Sequence, residues 1–170
     1  TRTRRQRQMC IRDSYKTDRN FPGLTATSMM SPYINSGVVS SKWCLNQARA
    51  RNYDALDEGD KGLVHWISEI LWREFYRHII YNFPRVSMGK AFQEHFEQVP
   101  WENNQDFIEA WKHGRTGIPI VDAGMRQMIE TGWMHNRLRM IVAMFLSKNL
   151  MVDWHLSLIH ISEPTRPGHI

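Results

Sequence analysis

The chain has 170 residues, 42% of them hydrophobic, with a formal charge of +5 and two cysteines. No apolar run approaches the roughly 20 residues of a membrane-spanning helix, and the single interior cysteine, Cys44, supports neither a disulfide framework nor metal-ligand spacing. Residues 1–14 carry five Arg and one Asp, and residues 156–170 only Glu163 and Arg166, which leaves +1 for the stretch between, so net charge gives no argument for nucleic acid. In chain order, the connector "NFPGLTATSMMSP" is rich in turn residues and holds four hydroxyls within "TATSMMS", Thr25–Ser31. Hydroxyls and free backbone N–H groups in such a loop can cradle a phosphate, or the same hydroxyls can cap a helix. "KGLVHWISEILWREFYRHIIYNF" then places Leu63, Trp66, Ile67, Ile70, Leu71 and Phe75 at helical spacing and ends before Pro84. A second connector, "NFPRVSMGK", leads to a shorter helix around Asp106–His113 that stops at Gly114. In "GIPIVDAGMRQMIETG", Pro119 acts as a breaker, Asp122 is a plausible N-cap and Thr131-Gly132 ends the helix. A last helix is expected from about Asn136 to Met151. No strand alternation persists, no repeat is present, and the fold class predicted is all-α.

Two helix faces carry more chemistry than packing requires. Glu69, Trp72, Arg73 and Tyr76 lie at i, i+3, i+4 and i+7, hence on one face. A solvated stripe with a helical ion pair is the plain explanation, but an exposed Trp has no structural task. A carboxylate beside an aromatic plate suits a heteroaromatic ligand, with the N–H edge on one and the ring face on the other. Asn136, Arg139, Met140 and Ala143 share a second face, flanked by Arg137. Asn offers the donor and acceptor that a base edge needs, Arg137 suits a phosphate and Met140 a soft apolar contact. A capping Asn136 with two surface arginines is the plain alternative there. Trp101 and Trp154 read as structural, and His65, His78, His95, His113 and His135 form no metal-binding pattern.

The two ends look foreign to the rest. Met9–Asp13 can be encoded by a string whose reverse complement reads Leu156-Ser157-Leu158-Ile159-His160, so the ends can encode one inverted repeat. "RRQRQMCIRDS" and "LSLIHISEPTR" resemble translated sequencing adapters. Residues 1–14 and 156–170 are therefore expected to be adapter-derived and excluded from fold reasoning. Residues 15–155 are expected to be the genuine part.

Residues 15–154 resemble the flavin-binding helical domain of the photolyase/cryptochrome family. The signatures are "EILWREFYRHI", "GRTGIPIVDAGMRQM" and "TGWMHNRLRMIVAMFLSK". The resemblance is closest to the class I photolyases that split cyclobutane pyrimidine dimers. Cryptochrome-like and (6-4) relatives usually show a "WIHHLAR"-type version of the last motif, and DASH-type proteins "HNRGR". The resemblance implies FAD held by Tyr15, by Thr27, Ser28, Met29, Met30 and Ser31 around its phosphates, and by Trp66, Arg73 and Arg139. It implies lesion contacts from Glu69, Trp72, Asn136 and Met140, and DNA contacts from Arg19 and Arg137. Trp101 and Trp154 match the surface and middle positions of the family's tryptophan relay for flavin photoreduction. Met29 and Met30 depart from the family pattern, in which a polar residue is followed by Leu.

The implied activity is light-driven repair. The dimer leaves the stack at a cost of a few kcal/mol, and reduced flavin supplies the electron that opens the ring. The implied partner is damaged DNA, with no membrane, a monomeric state and an intracellular location (nucleus if eukaryotic, cytoplasm if bacterial). No metal is expected. An antenna chromophore of folate or deazaflavin type would belong to an N-terminal domain that this sequence lacks. The sequence also stops before an expected "DGDLAANNGGWQW"-like segment, which would supply an acidic partner for Arg139 and the tryptophan nearest the flavin. Residues 15–155 are thus expected to bind FAD weakly and not to repair DNA unaided. The alternatives are a cryptochrome-type photoreceptor and a flavin-free helical DNA-binding module.

Overall fold

The computed structural model describes residues 14–157. Most of the two terminal segments read as foreign, residues 1–13 and 158–170, lies outside the described residues. Among the described residues every regular element is helical and there is no strand, as the all-α reading expects. No helix among them is long and apolar enough to cross a membrane. The chain divides into two compact units, with the boundary between Ser87 and Met88.

The first unit holds α1 (Tyr15–Asp18), α2 (Ser31–Asn35), α3 (Ser41–Arg51) and α4 (Lys61–Asn82). α4 starts where Asp60 accepts the Leu63 N–H at 2.7 Å, satisfying a donor that the first turn leaves orphaned. Its N-terminal half buries Trp66, Ile67 and Ile70 against Cys44 and Ala48 of α3, with Tyr15 and Met30 completing the cluster. α3 escaped the sequence reading because Cys44 and Ala48 are its only buried residues. Two positions, one of them Ala, make no legible period. Leu71 and Phe75, expected in the apolar face of α4, are exposed instead. Within this unit α4 packs chiefly against α1 and α3, and its buried residues end at Ile70, so the later turns of the stripe have little to pack on.

The second unit holds a 3-10 turn (Glu94–Gln98), α5 (Gln105–Lys112), α6 (Pro119–Thr131), α7 (Asn136–Met144), a π-helical turn (Phe145–Asn149) and α8 (Trp154–Ser157). Its core joins Ile108 and Trp111 of α5, Val121 and Met125 of α6, and Leu138 and Val142 of α7. Gly124 permits that closeness, since a Cβ there would stand 3.0 Å from Val142 Cγ2. Gly132 ends α6 at φ +67°, a conformation costly for other residues.

Three expectations need correction here. Pro119 opens α6 at its first position, where its missing N–H costs nothing. Asp122 is not the N-cap: it lies in the first turn, and its carboxylate reaches back to accept from the Thr116 hydroxyl (2.6 Å), the Thr116 N–H (2.8 Å) and the Gly117 N–H (3.0 Å). The last helix also changes period at Phe145. There the Leu150 N–H bonds the Phe145 carbonyl, five residues back, while the Val142 carbonyl accepts from the Trp111 indole at 3.1 Å. A side-chain donor drawn to a helix carbonyl is one recognised place for the ladder to slip.

Asp122 gives the second unit a pH dependence. Burial pushes its carboxyl up, but the Thr116 and Gly117 donors, with Arg126, outweigh that and hold it below the ordinary carboxylate value. A depressed folded-state pKa contributes stability that is complete above the unfolded value, about 3.9, and lost as pH falls through the folded one. Acid titration of unfolding should therefore show the 88–157 unit weakening below about pH 4, with Asp122→Ala removing that component. An unchanged acid profile in the variant would contradict this assignment.

Candidate functional site

In the first unit, α1 and α4 bring Tyr15, Arg19 and Glu69 together. Arg19, just past the end of α1, donates from Nη1 to Glu69 Oε1 and lies with its guanidinium carbon 5.7 Å from the centre of the Tyr15 ring. Burial pushes the Tyr15 phenol up from its ordinary value, the Arg19 guanidinium pulls it down, and the Glu69 carboxylate adds to the rise. One turn on from Glu69, Trp72 is 52% exposed. It packs edge-on to Phe75 (ring centres 5.4 Å apart) and tilted against Tyr76 (6.0 Å). The face read from the sequence therefore exists, as a half-exposed carboxylate beside a half-exposed indole. Arg73 on the same face lies 3.4 Å from Glu74, which is also bonded by Ser41 and Arg77. Trp66, by contrast, is part of the buried core.

The loop of Thr27, Ser28, Met29, Met30 and Ser31 does not cap a helix through its hydroxyls, because Met30 holds the N-cap position of α2 without a side-chain bond. Met29 has a left-handed φ of +53° and Met30 follows at φ −86°, ψ −14°. A residue of left-handed φ followed by a right-handed one is the backbone pattern from which anion-accepting nests are built. Thr27 Oγ1 contacts the Met29 sulfur at 3.6 Å.

In the second unit, the Thr131–Asn136 turn is set by hydrogen bonds. The Thr131 hydroxyl donates to the Gln127 carbonyl (2.5 Å) and accepts from the Trp133 N–H (3.2 Å), and the Gln127 side chain accepts from the His135 N–H (3.2 Å). The N-cap of α7 is His135, whose Nδ1 accepts from the Arg137 N–H at 3.1 Å. The capping role weighed for Asn136 is therefore filled by its neighbour. Asn136 occupies the first helical position and is exposed, and Arg137 at the second position is exposed too. Met140, one turn on, is exposed too. Arg139 is half-buried: its Nε donates to the Met134 carbonyl at 3.0 Å, and burial pushes its guanidinium down from the ordinary value.

Trp101 and Trp154, both half-buried, flank a two-bond clamp. The Glu102 N–H donates to the Met151 carbonyl (2.8 Å) and the Asp153 N–H to Asn103 Oδ1 (2.9 Å). Trp154 stacks on His155 with ring centres 3.8 Å apart. Sequence reasoning passed over His135, Asn52 and Asp60, which fix the starts of the two helices that carry the candidate faces. Asp60 ahead of an apolar run was a readable capping signal. For Asn52 and His135 nothing local distinguished them.

Comparison with known proteins places this helical fold in a family. The family model for the FAD binding domain of DNA photolyase matches residues 66–163. The deoxyribodipyrimidine photo-lyase of Neurospora crassa is 46% identical over 143 residues, 84% of this chain and 23% of that protein. Among solved structures, a bacterial class III photolyase from Agrobacterium tumefaciens matches with TM-score 0.75 and 38% identity, over 83% of this chain and 28% of its own. A cryptochrome from Synechocystis matches with TM-score 0.72 and 33% identity, over 83% and 29%. The chain thus spans less than a third of each of these relatives.

Proposed function

Because the chain belongs to the family of FAD-binding domains of DNA photolyase, we propose that residues 15–155 are the flavin- and lesion-side part of a light-driven lyase for cyclobutane pyrimidine dimers. The observation that carries this reading is the α4 face, where the Glu69 carboxylate stands one turn from the exposed Trp72 indole. A pyrimidine presents an N–H edge and a flat face, and this pair offers an acceptor for one and a plate for the other. On α7, Asn136 would supply both a donor and an acceptor, Met140 an apolar contact and Arg137 a cation for the DNA backbone.

The donor set also fits the cofactor. The nest at Met29–Met30, with the hydroxyls of Thr27, Ser28 and Ser31, would hold its phosphates without net charge. Tyr15, Arg73 and Arg139 would add polar contacts, while Trp66 would act from the core by shaping the wall. Once bound and reduced, the flavin supplies the light-absorbing electron donor. Glu69 would offer a lesion a hydrogen bond and Trp72 a face that excludes water, Asn136 would offer a hydrogen bond of its own, and Trp101 and Trp154 would offer oxidisable rings on clamped segments.

The similarity to a Synechocystis cryptochrome supports a second reading, a flavin photoreceptor without repair. Grafting residues 15–155 into the matching stretch of the Neurospora relative separates the two. Under light, the graft should convert an oligonucleotide with one thymine dimer to intact thymines. A graft that retains flavin yet leaves the dimer uncleaved favours the receptor. The isolated chain is expected to hold FAD weakly and not to repair; stoichiometric FAD retention by residues 15–155 would contradict that. In the graft, Arg137→Ala should weaken damaged and undamaged DNA alike and lower the salt-dependence slope by about 1. An unchanged slope would remove Arg137 from the DNA-contacting set.

A further inference from the structure

Arg19 stands at a position where the family resemblance leads one to expect a DNA contact, but its surroundings fit another task. Its side chain is only 13% exposed, it lies over the Tyr15 ring, and its Nη1 is given to Glu69. An arginine that serves DNA draws its affinity from meeting phosphates at the surface and releasing their counterions. To reach one, Arg19 would have to leave the aromatic face and strip Glu69 of its counter-charge.

The pairing is one-sided. Arg19 engages Glu69 Oε1 alone, and no protein group among the described residues bonds Oε2. An ionised carboxylate accepts at both oxygens, so one is anchored and the other left for an incoming N–H. Arg19 is itself held by packing on Tyr15, an arrangement that favours a guanidinium over an ammonium. Glutamate has among the largest rotamer entropies to lose on being fixed. Fixing it before the ligand arrives moves that cost out of the binding step.

We propose that Arg19 is a positioning residue for Glu69, holding one carboxylate oxygen so that the other is presented to the flipped pyrimidine, and is not a phosphate contact. This deepens the proposed function and rests on Glu69 being the lesion-contacting carboxylate.

The test is a double-mutant cycle in the flavin-loaded graft, measuring affinity for duplexes with and without one thymine dimer across a salt series. Arg19→Gln should reduce the preference for the dimer about tenfold, the effect of one charge-assisted hydrogen bond, and leave the salt slope and undamaged-DNA affinity unchanged. In a Glu69→Ala background the same substitution should change nothing further. Arg19→Lys, which keeps the charge and loses the planar fork, should restore part of the preference. It also serves as the cycle's partner if Arg19→Gln does not fold. Equal loss on damaged and undamaged DNA with a slope reduced by about 1 overturns the proposal, as does an Arg19 effect that persists without Glu69, or no effect. If Glu69→Ala itself leaves the dimer preference intact, the lesion-contact reading fails, and the proposal falls with it.

Discussion

Replacing Trp111 by alanine is expected to destabilise the 88–157 unit by about 3–5 kcal/mol, the range for deleting a fully buried aromatic side chain. Trp111 has no exposed surface and packs with residues of α6 and α7 in the core of its unit. Its indole N–H also donates to the Val142 carbonyl, at the point where α7 gives way to the π turn. The two contributions can be separated. Trp111→Phe keeps much of the apolar volume and removes the donor, so it should cost less than the alanine variant. It should also alter amide-exchange protection mainly around Val142–Leu150, whereas Trp111→Ala should lower protection throughout α5, α6 and α7. Denaturant unfolding with hydrogen exchange checks both. A cost below about 1 kcal/mol for the alanine variant, the level of an ordinary surface change, would contradict Trp111 as the centre of this unit.

The second large effect is expected at Asn52, on the opposite side of the unit boundary. Asn52 is 1% exposed. Its side-chain nitrogen donates to the carbonyls of Ala55 (3.0 Å) and Glu58 (2.7 Å), and its oxygen accepts from the Asp60 N–H (2.8 Å). Asp60 is in turn the N-cap of α4, the helix that carries Glu69 and Trp72. Asn52→Asp preserves shape and exchanges the donor for an acceptor, which sets a buried carboxylate against two carbonyl oxygens. The unmade bonds and the buried charge together should cost about 3 kcal/mol or more. Burial disfavours the charged form and raises the new carboxyl's pKa. The deficit relative to the parent should therefore narrow as pH falls, provided the comparison stays above the range where Asp122 begins to titrate. Asn52→Ala should be milder, because it leaves the carbonyls unpaired without adding a charge. Thermal melts of the three proteins across pH test the order. Gly59 belongs to the same device: a Cβ on it would collide with Asn52 Oδ1, at a φ of +94° that disfavours side chains in any case.

These effects mark where sequence reasoning reaches. The sequence alone determined the helical class, the extent of α4, the glycine stops at Gly114 and Gly132, and the two faces on α4 and α7. Each of these is written within a few consecutive turns, as a 3.6-residue period or a turn residue with one permitted conformation. The motif strings also sufficed to point to the photolyase/cryptochrome family. Only the tertiary structure decided that Trp66 is core while Leu71 and Phe75 are exposed, because periodicity shows a stripe but not how far its cover extends. It likewise decided that Asp122 braces the loop before its own helix, that His135 and not Asn136 caps α7, and that the last helix slips into a π turn. The Arg19–Glu69 pair spans 50 positions and the Trp111–Val142 bond 31. Contacts at that separation depend on how helices pack, and packing follows from the combined shape of many side chains, which no short window of sequence contains.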